Sequence, residues 1–336
     1  MRAPCGPISW PVFIRSDVNL PPPSLPAVPR TRFAPAPTGY LHLGHVVNAI
    51  HVWGVARAIG GEVLLRIEDH DRQRCRPDFE AALLEDLEWL GLEPDIGAIR
   101  EFRAGPSPFR QSDSTAAYEA ALLQLRERYH VYYCDCSRRE LERAAGNPWN
   151  AETPYSGRCR HRGLGAGPGR GLRVVLEPGD ERFVDLAFGP QIQEPALQSG
   201  DLLLQDRSGN WTYHFAVVVD DLRQGVDLVI RGKDLLESTG RQIRLARMLG
   251  RPAPPRYLHH ELLRKPTGEK LSKANRDTGI RELRAAGRSA AAVLGEAALR
   301  AGLLPARQPV FPRDLAALLD PLVRRFPVSF SRVVDR

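Results

Sequence analysis

His42 and His45 stand three residues apart where a proline-rich extended run gives way to helix-compatible sequence, in Arg32-Phe33-Ala34-Pro35-Ala36-Pro37-Thr38-Gly39-Tyr40-Leu41-His42-Leu43-Gly44-His45. A strand ending and a helix beginning there would aim free backbone N–H groups and the positive end of the helix dipole at one spot, which suits phosphate. Gly44 would let a nucleotide approach the backbone, and the imidazole N–H groups of His42 and His45 would reach its phosphates. Lysine usage marks a second place. Of 47 basic residues only Lys233, Lys265, Lys270 and Lys273 are lysines, and three of these four fall within nine residues. A compact, mobile ammonium and a rigid planar guanidinium do not substitute freely at a working site, so this cluster in an arginine-writing chain points to chemistry. The third place carries thiols: Tyr133-Cys134-Asp135-Cys136-Ser137, then Tyr155-Ser156-Gly157-Arg158-Cys159-Arg160-His161. Three cysteines, two of them in C-x-C, predict a structural zinc site short of one ligand, for which His161 is the chemically ordinary donor.

The elements that must position these groups can be read coarsely. An extended run at 31–34, helical sequence from Gly44 through Ile59, the stop Gly60-Gly61 and an apolar run at 63–67 make a βαβ unit, hence an α/β chain with a parallel sheet. Further helices are expected at 78–91, closed by Gly91, at 111–130 and at about 238–249. Strand-like runs recur at 172–176, 201–205, 213–219 and 226–230. After Arg251 a proline-rich linker leads into mostly helical sequence. Neither G-x-G-x-x-G nor G-x-x-x-x-G-K-[ST] occurs, which argues against a dinucleotide fingerprint and a P-loop.

Composition narrows the class. The 336 residues are 43% hydrophobic and 26% charged, as in a soluble globular chain, and no apolar run approaches the ~20 residues of a membrane span. Residues 1–29 have no signal-peptide form and read as a proline-rich, mobile extension; with five cysteines and no secretory signal, a reducing cytoplasm is expected. The net charge of +7 is uneven: residues 251–336 carry 17 basic and 8 acidic side chains. A basic C-terminal quarter on a near-neutral body predicts a face for a polyanion, RNA first.

The histidine-bearing string closely resembles the HIGH motif of class I aminoacyl-tRNA synthetases in its glutamate-specific form. Leu65-Arg66-Ile67-Glu68-Asp69-His70-Asp71 resembles that family's second block. Tyr213-His214-Phe215-Ala216-Val217-Val218-Val219-Asp220-Asp221 with Val229-Ile230-Arg231-Gly232-Lys233-Asp234-Leu235-Leu236-Glu237-Ser238-Thr239 resembles the third, and Lys270-Leu271-Ser272-Lys273-Ala274 is similar to its KMSKS loop. The resemblance covers roughly residues 31–275. It implies a Rossmann-like parallel sheet with a zinc-bearing insert: 30–110 and 191–250 as halves of the catalytic fold, 111–190 as the insert, and 251–336 as the loop and a short basic helical region.

It also implies glutamate activation with ATP and Mg²⁺. Arg32 and Arg231 would grip carboxylate by bidentate bonds, Glu68 would hold the ammonium, and Tyr213 would add a hydroxyl, with Ala34 and Ala36 beside them. Ala36 departs from the serine the family usually writes, which removes one hydroxyl near the amino acid. His42, Gly44, His45, Lys270, Ser272 and Lys273 would bind ATP, with His42, His45 and Lys273 neutralising phosphate charge during reaction. Bacterial members place a tyrosine four residues before the last cysteine, so Tyr155 would join Cys134, Cys136 and Cys159 on zinc, with His161 as the alternative. The 63 residues after Lys273 are too few for a helical anticodon-binding domain. That form resembles the glutamyl-Q tRNA(Asp) synthetases, which pass glutamate to queuosine in the anticodon stem-loop of tRNA(Asp). A truncated glutamyl-tRNA synthetase charging tRNA(Glu), or a catalytically weak RNA-binding paralogue, are the other readings.

Overall fold

A computed structural model describes residues 25–145, 154–263 and 279–326. Strands β1 (Arg30–Phe33) and β2 (Glu62–Leu65) pair in parallel, Arg32 opposite Leu64, with α1 (Leu43–Ala58) as the crossover between them. The expected βαβ unit is therefore present. Helix α1 is buried along most of its length, which explains why its sequence shows little amphipathic period. Helix α2 (Pro77–Leu90) begins on a proline and ends at Gly91, whose φ of 70° lies in the left-handed region that a side chain would disfavour.

Helices α3 (Ile99–Ala104) and α4 (Thr115–Arg128) lead to β3 (Val131–Cys134), α5 (Arg138–Ala145) and β4 (Gly171–Val174). A hairpin follows, β5 (Glu181–Asp185) and β6 (Gly189–Gln193), then α6 (Pro195–Ser199) and β7 (Leu202–Gln205). Strands β3, β4 and β7 form one antiparallel sheet. Next come α7 (Tyr213–Arg223), β8 (Leu228–Gly232), α8 (Thr239–Met248) and β9 (Arg256–His260). Strands β5, β9 and β8 run parallel side by side, with β6 added antiparallel at the edge. The start of β1 is tied to the approach of β8: Asp227 N donates to Arg30 O (2.9 Å) and Arg30 N to Asp227 Oδ2 (3.1 Å). Helices α9 (Ile280–Ala285), α10 (Ala290–Arg300) and α11 (Leu315–Val323) close the chain's described part, and α11 packs on α1.

Two departures from the sequence reading matter for the site. Residues 213–219, expected as a strand, begin helix α7. Phe215 through Asp221 are all buried, so no polar face exposes the 3.6-residue period, and packing overrides the strand preference of three consecutive valines. Strands β5, β6 and β9 had no counterpart in the sequence reading. Lys265, Lys270, Ser272 and Lys273 lie outside the described residues. No helix among the described residues is long and apolar enough to cross a membrane.

Candidate active site

His42 is the N-cap of α1. Its Nδ1 accepts the Gly44 N–H (3.0 Å), and the His45 Nδ1 accepts the His42 N–H (3.1 Å). A ring nitrogen that accepts carries no proton, so both imidazoles keep their proton on Nε2, and each has an Nε2–H as its donor. The rings lie 4.0 Å apart, centroid to centroid. Gly44 has a more local reason than access for a nucleotide: a Cβ there would stand 2.8 Å from Cε1 of His42, closer than a side chain tolerates.

Below this loop lies a buried charge network. The fully buried Arg66 donates to Asp221 Oδ1 (2.8 Å), Gln224 Oε1 (2.9 Å) and Glu68 Oε1 (3.0 Å), and stands 3.8 Å from Asp220. Arg32 donates through Nε to the same Asp221 oxygen (3.2 Å) and through Nη1 to Ile230 O (3.3 Å). Burial alone would raise the Asp221 carboxyl, but Arg32 and Arg66 beside it hold it below the usual carboxylate range. Arg66 is likewise kept charged: burial opposes its charge, and Asp221, Glu68 and Asp220 outweigh that. The sequence signal for Arg66 was an arginine inside an apolar strand run, a pattern that a buried ion pair explains.

Arg231 is held differently. Its Nε donates to His259 Nε2 (3.0 Å), Nη1 to Gln242 Oε1 (2.6 Å), and Nη2 to Thr239 Oγ1 (3.0 Å) and Leu235 O (3.3 Å). Four of five N–H groups thus meet uncharged acceptors of the protein, which leaves one on Nη1. The bidentate grip expected of Arg231 is not available in this arrangement. Burial pushes the Tyr213 phenol up despite nearby Arg231, so it stays a hydroxyl donor.

A cavity of about 570 Å³ opens among these groups. Arg32, Ala34, Ala36, His42, Gly44, His45, Glu68, Tyr213 and Arg231 all line it. These nine are every glutamate- and ATP-site residue named from the sequence that falls within the described residues. Asn48, Asp234 and His260 also line it and were missed. Asp234 stood inside the third family block but was given no role, and nothing in the residue types of Asn48 and His260 distinguishes them before α1 and β9 are placed; His260 Nε2 lies 3.2 Å from Asn48 Oδ1, across the cavity wall.

The thiol cluster also assembles. Cys134, Cys136 and Cys159 are buried with their sulfurs within 4.8 Å of one another. The Tyr155 hydroxyl stands 3.5 Å from Cys134 Sγ and 4.0 Å from Cys136 Sγ, and Cys136 and Cys159 sulfurs are 3.4 Å apart. Tetrahedral zinc with ~2.3 Å bonds to sulfur has ligand-to-ligand edges of about 3.8 Å, so these donors fit such an ion. His161 is exposed, with its ring near that of His130; Tyr155 is the donor that sits among the sulfurs. Burial and the neighbouring thiols push Cys136 up to about 12, a crowding that a cation relieves. Arg162 stands 3.4 Å from the Cys159 sulfur, and the Arg173 guanidinium lies 3.7 Å over the Tyr155 ring.

The profile of "tRNA synthetases class I (E and Q), catalytic domain" matches residues 29–311. The chain is 40% identical to a glutamyl-Q tRNA(Asp) synthetase of Nitratidesulfovibrio vulgaris over 323 residues, covering 91% of this chain and 97% of that protein. It is 43% identical to the Ralstonia nicotianae protein of the same name over 302 residues, covering 86% and 90%. A crystal structure of a glutamate tRNA ligase from Elizabethkingia meningosepticum, in complex with its amino acid, superposes with a TM-score of 0.69 at 28% identity. That match covers 86% of this chain, which spans 64% of the ligase's length.

Proposed function

The chain belongs to the class I tRNA synthetases for glutamate and glutamine and, among them, to the glutamyl-Q tRNA(Asp) synthetases, and from that membership we propose that it activates L-glutamate with ATP without tRNA and passes the glutamyl group to queuosine in the anticodon of tRNA(Asp). The observation that carries this reading is the convergence of nine motif residues, drawn from β1, α1, α7, β8 and the segments that follow β1 and β2, on one cavity.

In the reading we propose, the α-carboxylate of glutamate attacks the α-phosphorus of ATP, and pyrophosphate leaves. Arg32 and Arg231 supply positive charge for the side-chain carboxylate, and Glu68 takes the ammonium, its own position fixed by Arg66. Glutamine would leave Arg231, whose partners are all uncharged, without a counter-charge, which disfavours it. The Nε2–H groups of His42 and His45 stabilise charge gathering on the phosphates, and the KMSKS-like Lys273 adds its ammonium. Mg²⁺, arriving with ATP, supplies further charge neutralisation on the leaving group. A single zinc held by Cys134, Cys136, Cys159 and Tyr155 would pin the insert and take no part in the chemistry.

Two measurements test the reading. Glutamate-dependent ATP–pyrophosphate exchange should proceed without RNA, and Lys273→Ala should abolish most of it; exchange that starts only when tRNA is added refutes tRNA independence. Labelled glutamate should transfer to queuosine-containing tRNA(Asp) lacking its 3′-terminal adenosine, with binding that weakens steeply as salt rises. Loss of transfer on that truncation, or better transfer to tRNA(Glu), refutes the queuosine assignment.

A further inference from the structure

Arg231 is the one cavity-lining cation of the described site whose guanidinium is fixed by uncharged acceptors. Behind it stands a carboxylate at one remove. His259 Nε2 accepts from Arg231 Nε (3.0 Å), and His259 Nδ1 lies 2.6 Å from Asp185 Oδ2; both residues are buried, His259 completely. The three side chains come from adjacent parallel strands. Arg231 on β8 is in register with His259 on β9, and Asp185 is the last residue of β5, which pairs with β9. The line therefore runs across the carboxyl ends of the sheet, where α/β folds bind their ligands.

Chemistry fixes the protons along this line. Arg231 is a donor only, so His259 Nε2 must be bare and its proton must sit on Nδ1, donated to Asp185. Asp185 is locked in turn: Oδ1 accepts the N–H groups of Ala187 (3.0 Å) and Phe188 (2.9 Å), and Oδ2 also accepts the backbone N–H of His259 (3.2 Å). Gln242 is ordered the same way. Its Oε1 faces Arg231, so its Nε2 donates to His214 Nδ1 (3.1 Å), and His214 is kept neutral, its pKa lowered to about 3 by burial and by nearby Arg241 and Arg231.

We propose that His259, held in one tautomer by Asp185, is a positioning residue that aims Arg231 at the substrate's side-chain carboxylate while leaving the arginine's charge without a direct counter-ion. Arg32 differs, because it shares Asp221 with Arg66. Arg231 is then the main source of unspent positive charge, and selection of glutamate over glutamine depends on Asp185 and His259, which touch no substrate. This rests on the glutamate-activating reading above.

Asp185→Asn is the sharpest test. The new amide nitrogen would meet two backbone N–H donors, of Ala187 and Phe188, on one side and a single one, of His259, on the other, so it turns toward His259. There it forces Nδ1 to accept and places a proton on Nε2, against the Arg231 Nε–H, the wrong-tautomer logic known for aspartate–histidine pairs in hydrolases. Loss of one charge-assisted bond should raise KM for glutamate about 10- to 100-fold, with KM for ATP unchanged and the preference for glutamate over glutamine reduced. Imidazole ¹⁵N NMR should show the His259 proton moved from Nδ1 to Nε2. His259→Gln, which can accept from Arg231 and donate to Asp185, should stay near wild type, whereas His259→Leu should match the Asp185→Asn defect; this pair decides the matter if Asp185→Asn fails to fold. An unchanged glutamate KM in Asp185→Asn and His259→Leu overturns the proposal, as does a parallel loss toward glutamate and ATP. Wild-type protein without glutamate-dependent exchange overturns the functional reading instead, and the ¹⁵N tautomer shift then decides the positioning role separately.

Discussion

Arg66→Met tests whether the buried network, and not the surface of the cavity, sets the strength of the site. Methionine keeps the length of the side chain and removes its charge. In the wild type two carboxylate contacts, at 2.8 Å to Asp221 and 3.0 Å to Glu68, depend on that charge. Each corresponds to about 5–6 kcal/mol of Coulomb attraction at an effective dielectric near 20. Several kcal/mol of desolvation return when the buried guanidinium is removed, so the expected net loss of stability is about 3–5 kcal/mol, the usual result of orphaning buried charge. A lowering of Tm on the order of 10 °C follows. The pH dependence carries the sign. In the wild type Asp221 has a depressed pKa, so its contribution is fully present above the ordinary aspartate value and is lost only as pH falls below it. In the variant Asp221 keeps Arg32 but loses Arg66, so the burial that raises its carboxyl is opposed by one cation fewer, and the variant gains stability relative to wild type as pH falls from 8 to 5. Urea unfolding across that range measures both effects. A destabilisation under about 1 kcal/mol, or a gap that does not narrow on acidification, would refute the reasoning.

Other outcomes follow from other parts of the molecule. Gly44→Ala places a Cβ against the His42 ring, so kcat in pyrophosphate exchange should drop roughly 100-fold with little change in melting; a normal kcat would mean the ring has room to move. One zinc per chain is expected by metal analysis, with Cys159→Ser losing it and Tyr155→Phe retaining it with weaker resistance to chelators; wild-type protein purified without chelator and holding no zinc would sink the assignment. His51 is pushed down to about 3, first by burial and then by neighbouring His260, from an unfolded value near 6.5. The unfolded chain takes up a proton the folded one refuses, so this residue makes stability decline as pH falls from 6.5 toward 3, by up to about 1.4 kcal/mol per pH unit. His51→Leu should flatten the slope of urea midpoint against pH, and an unchanged slope would contradict it.

The histidine loop was legible in its own residues because it combines distinctive side chains with a local pattern of prolines and glycines, whereas Glu68 and Arg231 were reached only through the resemblance of their blocks to the family's ordered motifs. The helix at 213–223 was not legible, because a helix buried on every side shows no polar stripe and three valines in a row read as a strand. Strands β5 and β9 are short and carry aspartate, arginine and histidine among few apolar residues. Their pairing therefore had no period to announce it, and Asp185, His259 and His260 went unread with them. Tyr155 illustrates the opposite case. Donor chemistry pointed to His161 and the family resemblance to Tyr155, and the folded insert distinguishes a phenol among the sulfurs from an exposed imidazole.

The packing of α11 on α1 also has a bearing on how the protein is made. Helix α1, which carries His45 and Asn48 toward the cavity, leans with its back on a segment far downstream: a Cβ at Gly54 would meet Leu315 O at 2.8 Å. Arg32 likewise waits for Asp221 and Ile230. With roughly 260 residues between Ala58 and Leu315, a ribosome adding about 5–20 residues per second leaves the apolar back of α1 uncovered for some 13–50 seconds. During that interval the nascent chain offers an apolar helix and a two-stranded sheet to any chaperone near the exit tunnel. Nascent chains arrested short of Leu315 should therefore be bound by such chaperones and have no activity, even though every residue of the histidine loop has already been synthesised.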